Sequence, residues 1–209
     1  MELETKVDRV VAAIGDLDTS DARLLVAIAG PPGSGKSTLA EHVQKRLQEN
    51  GTPCGLVPMD GFHLDNDVLR ARGLYSKKGA PQTFDAEGFH ALVERLCSED
   101  TVQYPLFDRE NDRVSLDAAT ITYKERIVLV EGNYLFLDDP AWRPLSKFWA
   151  LKVFISPSIE TLEMRLIERW LIQGLNQSAA KKRAEENDLV NARLVFAQRS
   201  ETRADIELT

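Results

Sequence analysis

A glycine-rich octapeptide between a buried strand and a helix constrains this chain more than any other feature. Residues Gly30 to Ser37 read GPPGSGKS and fit the pattern G-x-x-x-x-G-K-[ST]. The continuous apolar run Leu24–Ala29 precedes it and is typical of a strand buried on both faces of a parallel sheet. Apolar residues at four-residue spacing follow it and predict a helix over residues 36–49. The pattern therefore stands between a strand and a helix, the context in which it binds phosphate.

The residue types of this segment suit phosphate chemistry. Glycines allow the backbone to wrap closely around phosphates, and consecutive N–H groups at a helix N-terminus supply positive potential. The Lys36 side chain would reach the β- and γ-phosphates, and the Ser37 hydroxyl would ligate Mg²⁺. We therefore predict ATP and Mg²⁺ as cofactors. The predicted nucleotide-binding residues are Gly30, Pro31, Pro32, Gly33, Ser34, Gly35, Lys36, Ser37 and Thr38.

The remaining pattern alternates apolar strands with amphipathic helices. Further strands are predicted at 54–59, 127–130, 148–155 and 206–208, and further helices at 7–14, 84–96, 158–173 and 178–190. Such alternation predicts a parallel sheet with helices on both faces. We expect an α/β fold, a P-loop NTPase three-layer sandwich with a mostly parallel central sheet and a helical lid at about residues 160–185. A single domain is expected over residues 1–209, and residues 66–81 are predicted to form an active-site loop.

Composition excludes several other classes of protein. The chain has 209 residues and a formal charge of −7, which argues against sequence-blind nucleic-acid binding. No basic and apolar leader is visible, and the longest apolar run is far short of a membrane span. The cysteines Cys54 and Cys97 form no CxxC motif and are read as reduced thiols. We expect a cytoplasmic protein with no nucleic-acid or membrane partner; a homodimer is left open.

Two acidic residues stand where predicted strands end. Asp60 follows the second strand and Glu131 ends the third, so both are expected at the carboxyl edge of the sheet beside the glycine-rich segment. A small-molecule kinase needs one anion to accept a hydroxyl proton and another acidic group to organise Mg²⁺. Asp60 and Glu131 can fill these roles, and each could instead be a turn residue after a strand. The motifs NKxD of GTPases and LSGGQ of transporter ATPases are absent.

An ordered set of short motifs resembles the superfamily of uridine kinases, pantothenate kinases and phosphoribulokinases. The similarity is greatest to its short bacterial members, described as nucleoside/nucleotide-kinase-like or fructose-transport-associated kinases. The matching stretches lie at residues 30–37, 59–63, 78–85, 104–109 and 130–135. They span about residues 24–200 in the order found in the family.

This resemblance implies roles for individual residues. The implied catalytic residues are Asp60 as base, Lys36, and the lid arginines Arg165 and Arg169, which are expected to face the same way and clamp the phosphates. The implied metal ligands are Ser37, Glu131 and Asp60. The implied substrate-binding residues are His63, Tyr104, Asp108, Arg109 and Glu131. The alternatives are a solvated ion pair for Asp108 and Arg109, and a structural role for His63.

The function implied is ATP-dependent transfer of a phosphoryl group to a hydroxyl of a small metabolite, such as the sugar fructose. A nucleoside or pantothenate could also be the acceptor, and a regulatory ATPase that uses water as acceptor is an alternative class. Lys77, Lys78 and the run Lys181-Lys182-Arg183 are interpreted as solvated charge. No role is assigned to three polar residues near the end of the chain, which are Asn187, Asp188 and Asn191.

Overall fold

The computed structural model describes residues 1–18, 22–199 and 204–209. Its helices are α1 (Leu3–Gly15), α2 (Lys36–Glu49), α3 (Asn66–Ala71), α4 (Ala86–Ser98), α5 (Ile159–Ile172), α6 (Gln177–Arg183) and α7 (Leu189–Ala197), and a π-helical turn (Ala184–Asp188) joins α6 to α7. Its strands are β1 (Leu24–Ala29), β2 (Cys54–Pro58), β3 (Val102–Asp108), β4 (Arg113–Ile121), β5 (Ile127–Gly132), β6 (Trp149–Ile155) and β7 (Ile206–Leu208).

Five parallel strands form the central sheet in the order β2-β5-β1-β6-β7. β1 is central because it is apolar on both faces: Leu25 and Ala27 pack into one core, and Val26 and Ile28 into the other. At the carboxyl edge, Ala29 is in register with the end of β5, and Pro58 of β2 is in register with Glu131. The ends of β1, β2 and β5 therefore meet at one edge, and the predicted phosphate-binding segment, Asp60 and Glu131 lie there.

Helices cover both faces of this sheet. Helices α1 and α2 pack on one face, and α4 packs on the other together with part of the β3–β4 hairpin. The segment from α5 to α7 has a small apolar core of its own, formed by Leu162, Leu166, Ala184, Leu189 and Ala192. The prediction of an α/β three-layer fold with a mostly parallel sheet is confirmed. In the described residues no helix is both long and apolar enough to cross a membrane.

The β3–β4 hairpin was not predicted. Pro105 interrupts β3, and the register shifts between Tyr104 and Leu106, so the alternation that identifies a strand is broken. Most of β4 is partly or fully exposed, which removes the apolar signal as well. The sequence of β3 and β4 therefore contains no clear strand pattern.

The helix predicted over 178–190 is also corrected. It is divided into α6 and α7 by the π-helical turn, and the helical path continues to Ala197. A π-helical turn adds a residue to one turn and so rotates the following side chains relative to a regular helix. Period-based prediction assumes 3.6 residues per turn and cannot anticipate this change.

Candidate active site

A cavity of about 570 Å³ opens at the carboxyl edge of the central sheet. Its walls come from the loop after β1, the turn after β2, residues 75–79, the end of β3, and the α5–α7 segment. Open parallel sheets bind their ligands at this edge. The predicted active-site loop at 66–81 does contribute to the wall, through Tyr75, Ser76, Lys78 and Gly79.

Residues 30–38, which we call the phosphate loop, form one end of the cavity. Gly33 and Gly35 have φ of +79° and +90°, a backbone conformation that residues with a Cβ atom rarely adopt. A Cβ on Gly30 would lie 2.7 Å from Ser34 Oγ and 2.9 Å from the Ile155 carbonyl oxygen, so the loop is tightly folded. Helix α2 begins directly after Gly35 with no side-chain cap, which leaves its first N–H groups for an anion.

Not all the predicted phosphate-loop residues reach the cavity. Those that line it are Pro32, Gly33, Gly35, Lys36, Ser37 and Thr38. Gly30, Pro31 and Ser34 lie behind this surface, where Ser34 donates its N–H to the Pro31 carbonyl oxygen at 3.1 Å. The first group can touch a nucleotide, whereas the second shapes the loop.

Asp60 lies in a short 3₁₀ turn that follows β2 and faces the cavity. Arg109 Nη2 donates to its Oδ2 at 2.5 Å. Burial opposes ionisation of the Asp60 carboxyl, but the neighbouring positive charges outweigh burial and lower its pKa below the ordinary value. The groups responsible are His63, Arg109, Lys36 and Arg169. An ionised carboxylate, able to accept a proton or a cation, is therefore held at the phosphate-loop end.

Glu131 is buried at the end of β5, next to Asp60 and the phosphate loop. Burial raises the pKa of its carboxyl, while Lys36 and a hydrogen bond from Ser37 act in the opposite direction. Its Oε2 is buried without a hydrogen-bond partner in the described structure. A buried carboxylate oxygen with free lone pairs needs a partner, and a hydrated cation supplies one. The donor set of Ser37, Asp60 and Glu131 thus fits Mg²⁺.

No group of three or more His, Cys, Asp or Glu side chains in the described part of the chain is arranged as a complete metal site. Mg²⁺ in phosphoryl-transfer enzymes characteristically takes one or two carboxylates from the protein and completes its shell with phosphate oxygens and water. A small oxygen-donor set beside a phosphate loop agrees with that mode of binding.

The two predicted lid arginines have different positions. Arg169 lines the cavity and makes no hydrogen bond or ion pair with any described residue. Burial lowers the pKa of its guanidinium. Arg165 instead donates from Nη1 to the carbonyl oxygens of Gly33 and Ser34 at 3.3 and 3.2 Å. Only Arg169 lines the cavity, while Arg165 is held by backbone oxygens of the phosphate loop, so a clamp formed by both arginines stays a prediction.

The predicted substrate-binding residues also separate. His63 and Arg109 line the cavity. Tyr104 does not: it is buried and donates its hydroxyl to the Leu56 carbonyl oxygen at 2.8 Å. Asp108 lies outside as well, where its Oδ1 accepts the N–H groups of Glu110 and Asn111 and closes the hairpin turn. The structure therefore gives Tyr104 and Asp108 local partners away from the cavity.

Lys78 is a cavity residue that was interpreted as solvated charge. Its side chain is only 12% exposed, and Nζ donates to Asp112 Oδ1 and to Asn66 Oδ1, each at 2.7 Å. The ammonium also lies 4.9 Å from the centre of the Phe107 ring. Asp112 and Asn66 are more than ten residues from Lys78 in the chain, so sequence spacing carried no signal of this cluster.

The basic run in α6 is divided in the same way. Lys181 and Lys182 are exposed and face Glu185 and Glu186 at i,i+4 spacing, as expected for solvated charge. Arg183 instead lines the cavity and lies 5.2 Å from the centre of the Trp170 ring. Asn187, Asp188 and Asn191, which had no predicted role, are all buried. Asn191 interrupts the apolar stretch Leu189–Ala197, which was a signal of burial, whereas Asn187 and Asp188 follow charged residues and carried no such signal.

Comparison with known proteins agrees with this architecture. A family model described as "Phosphoribulokinase / Uridine kinase family" matches residues 25–173. The "Putative uridine kinase C227.14" of Schizosaccharomyces pombe is 33% identical over 199 residues, which cover 89% of this chain and 83% of that protein. The "Uncharacterized protein YggC" of Escherichia coli is 34% identical over 193 residues, covering 90% and 78% of the two chains.

A solved structure is similar over its entire length. The crystal structure of a "putative fructose transport system kinase" from Silicibacter sp. TM1040 superposes with a TM-score of 0.91 at 44% identity, and 100% of each chain is covered. The resemblance inferred from the ordered motifs is confirmed. The phosphate loop, the carboxyl-edge cavity and these matches lead to one conclusion: the chain belongs to the phosphoribulokinase/uridine kinase family of P-loop kinases.

Proposed function

We propose that this kinase transfers the γ-phosphoryl group of ATP to a hydroxyl group of a small polyhydroxylated metabolite, with Asp60 as the base. One observation carries the proposal: the Asp60 carboxyl group faces a cavity that also contains Lys36 of the phosphate loop and Arg169, whose guanidinium makes no hydrogen bond or ion pair with a described residue. A proton acceptor and two phosphate-binding cations are thus brought to one space.

The chain's own groups provide for the phosphate end. Backbone N–H groups at the start of α2 and the Lys36 ammonium bind the β- and γ-phosphates. Arg169, which makes no hydrogen bond or ion pair with a described residue, donates to the oxygens of the transferred group, where negative charge must be stabilised. Mg²⁺ held through Ser37, Asp60 and Glu131 would neutralise charge on the phosphate oxygens.

Asp60 acts on the acceptor hydroxyl. A bond forms between the hydroxyl oxygen and the γ-phosphorus, the bond from that phosphorus to the bridging oxygen of ADP breaks, and the hydroxyl proton passes to an Asp60 carboxylate oxygen. Arg109 orients this carboxylate through its hydrogen bond to Oδ2. Because the pKa of Asp60 is lowered, its carboxyl group is ionised at neutral pH, as a proton acceptor must be.

The charges of the acceptor end favour a neutral, hydroxyl-rich substrate. Lys78 is neutralised by Asp112 and Arg109 by Asp60, and the guanidinium of Arg183 is occupied by the Ser76 and Lys78 carbonyl oxygens. An anionic acceptor would have to compete with these carboxylates. The groups that remain can exchange hydrogen bonds with hydroxyls, and the buried Oδ1 of Asn133, a residue of the cavity wall, has no partner within the described structure.

The aromatic side chains argue against stacking of a nucleobase. His63 lies against Phe84 and Phe107, with ring centres 4.1 and 4.7 Å away. Lys78 also contacts the Phe107 ring, and Arg70 lies 4.4 Å from the centre of the Tyr75 ring. Since a base needs an open ring face, rings occupied by neighbours favour a sugar over a nucleoside. The name of the Silicibacter relative, which refers to fructose transport, supports the same acceptor class.

The test is ATP consumption measured with Mg²⁺ across matched panels of sugars, nucleosides and pantothenate. We expect one or a few sugars to raise consumption well above the rate without acceptor, with phosphorylated sugar detected by mass spectrometry. A nucleoside-specific rise would overturn the sugar assignment. Hydrolysis indifferent to every acceptor would support the regulatory ATPase instead.

Asp60→Asn tests the base in the same assay. We expect kcat to fall by about 10²–10⁴ while ATP still binds, since the substitution preserves shape and removes the proton acceptor. Asp8→Asn is the matched control, because that carboxylate pairs with Arg46 on the surface of α1 and α2. Near-normal turnover of Asp60→Asn would exclude Asp60 as the base.

A further inference from the structure

The π-helical turn Ala184–Asp188 directs two adjacent side chains to different walls of the cavity. Asn187 and Asp188 are both buried, although adjacent residues on a regular helix point about 100° apart. Asn187 contacts the wall formed by residues 75–79, which we call the acceptor loop, and Asp188 contacts α5. π-helical turns are rare and occur often at functional sites.

The contact on the acceptor-loop side is made to the backbone. Asn187 Nδ2 donates to the Lys78 carbonyl oxygen at 2.9 Å, and Arg183 Nη1 donates to the Ser76 carbonyl oxygen at 2.8 Å. Tyr134 supports the loop from the sheet by donating its hydroxyl to the Gly79 carbonyl oxygen at 2.5 Å. The acceptor loop has no regular strand or long helix of its own, so these donors determine where Lys78 enters the cavity.

The contact on the phosphate side is made to an aromatic ring. Trp170 Nε1 donates to Asp188 Oδ2 at 2.6 Å. The guanidinium of Arg169 lies 5.5 Å from the centre of the same ring, and the negative charge of Asp188 favours its charged form. Asp188 thereby fixes the ring beside Arg169, a cation that has no hydrogen-bonding partner among the residues described.

We propose that Asn187 and Asp188 are positioning residues for opposite halves of the active site: Asn187 holds the acceptor loop, and Asp188 holds Trp170 and through it Arg169. The assignment rests on the proposed function, in which Arg169 faces the transferred phosphate. Neither residue touches the reacting atoms. Because the two share one turn, the wall that binds nucleotide and the wall that binds acceptor are built on the same short segment.

Hydrogen exchange tests the first half of the proposal without any substrate. In Asn187→Ala and in Asn187→Asp, which cannot donate, the amides of residues 77–80 should exchange at least about fivefold faster than in the wild type. These amides bond within the loop and its flanks, so their exchange reports its opening. Lys182→Ala is the control, since that side chain is exposed in the same segment. Unchanged exchange in both Asn187 variants would overturn the role of Asn187.

Nucleotide affinity tests the second half, with Mg²⁺ and the non-hydrolysable ATP analogue AMP-PNP as the probe in calorimetry. Asp188→Ala should weaken AMP-PNP binding by about fivefold relative to the wild type. Asp188→Asn should bind within about twofold of the wild type, because its amide oxygen still accepts from Trp170. Both variants remove the charge, so their difference isolates the hydrogen bond. Trp170→Phe, which lacks the N–H, should behave like Asp188→Ala.

The outcomes distinguish a failure of the two positioning roles from a failure of the proposed function. Equal affinities of Asp188→Ala and Asp188→Asn would overturn the positioning role of Asp188. If the wild type does not bind AMP-PNP, the proposed function is contradicted, while the exchange experiment would still decide the role of Asn187. Thermal unfolding of each variant identifies any that fails to fold, in which case Asn187→Asp and Trp170→Phe stand in for the alanine variants.

Discussion

The two halves of the cavity are constructed in contrasting ways. The phosphate half is dominated by one stretch of consecutive residues, 30–38, of which Pro32, Gly33 and Gly35–Thr38 line the cavity. The acceptor half combines the acceptor loop, the end of β3 and the π-helical turn, which are joined by contacts across 34 to 109 residues of chain. One half is a local motif of consecutive residues, and the other exists only after the chain has packed.

The halves also differ in how their charges are arranged. The phosphate half keeps Arg169 without a partner among the described residues and leaves the Glu131 Oε2 unpaired. The acceptor half occupies its cations internally: Lys78 pairs with Asp112 and Arg109 with Asp60, and Arg183 donates to backbone carbonyl oxygens. A site with unpaired charge attracts a charged ligand, whereas one with satisfied charge discriminates by hydrogen bonding and shape.

The largest effect is expected in the phosphate half. Lys36→Ala removes the cation that reaches the β- and γ-phosphates, and ATP-dependent turnover should fall by about 10³-fold or more. Lys45→Ala on the exposed face of α2 is the control, since that lysine pairs with Glu49 in solvent. Turnover of Lys36→Ala within tenfold of the wild type, measured by coupled ADP release, would contradict the phosphate-loop assignment.

A smaller difference should separate the two arginines of α5. Arg169→Ala should lower kcat by about 10²–10³, because it removes a donor aimed at developing charge. Arg165→Ala should instead raise the KM for ATP by about tenfold or less and affect kcat little, since this side chain supports loop carbonyls. Steady-state kinetics of both variants distinguishes the roles. Equal losses of kcat would restore the interpretation of a double clamp.

The smallest expected effect concerns Asp112 in the acceptor half. Burial opposes its ionisation, but hydrogen bonds from Lys78 and Asn66 outweigh burial and lower its pKa. A lowered folded-state pKa contributes stability above the unfolded value of about 4, and this contribution is lost as pH falls through the folded value.

Asp112→Asn should therefore reduce the free energy of unfolding at pH 7 by about 0.5–1 kcal/mol, a modest figure because its side chain is 49% exposed and solvent screens the pair. The deficit should shrink below about pH 4, where the wild-type carboxyl is increasingly protonated. Denaturant unfolding at both pH values measures it. A deficit that stays constant with pH would show that packing, and not charge, is responsible.

Much of the sheet was predictable because its strands are continuous apolar runs. Leu24–Ala29 indicated a buried central strand from its residues alone, and the helix expected over 158–173 is α5, which Ser158 caps by accepting from the Thr161 N–H. The hairpin of β3 and β4 was missed because Pro105 and solvent-facing residues disrupt its period. The hairpin was missed because its sequence does not show the alternation of apolar and polar residues that identifies a strand.

In the active site, too, some residues could be predicted from the sequence and others could not. Asp60 and Glu131 could be found because each ends or follows a recognisable strand, and parallel strands bring their carboxyl ends together. Lys78, Arg183 and Asp188 could not, because a charged residue in a loop or helix looks the same whether it faces solvent or a cavity. Their burial depends on what packs against them.

The sequence by itself determined the fold class, the phosphate loop and the acidic residues at its edge. Each depends on local order: consecutive N–H groups, apolar runs, and the position of a residue at the end of a strand. Only the tertiary structure decided that Arg165 supports the loop while Arg169 faces the cavity, and that one π-helical turn contacts both walls. Those facts depend on distances between residues far apart in the chain, which no local pattern encodes.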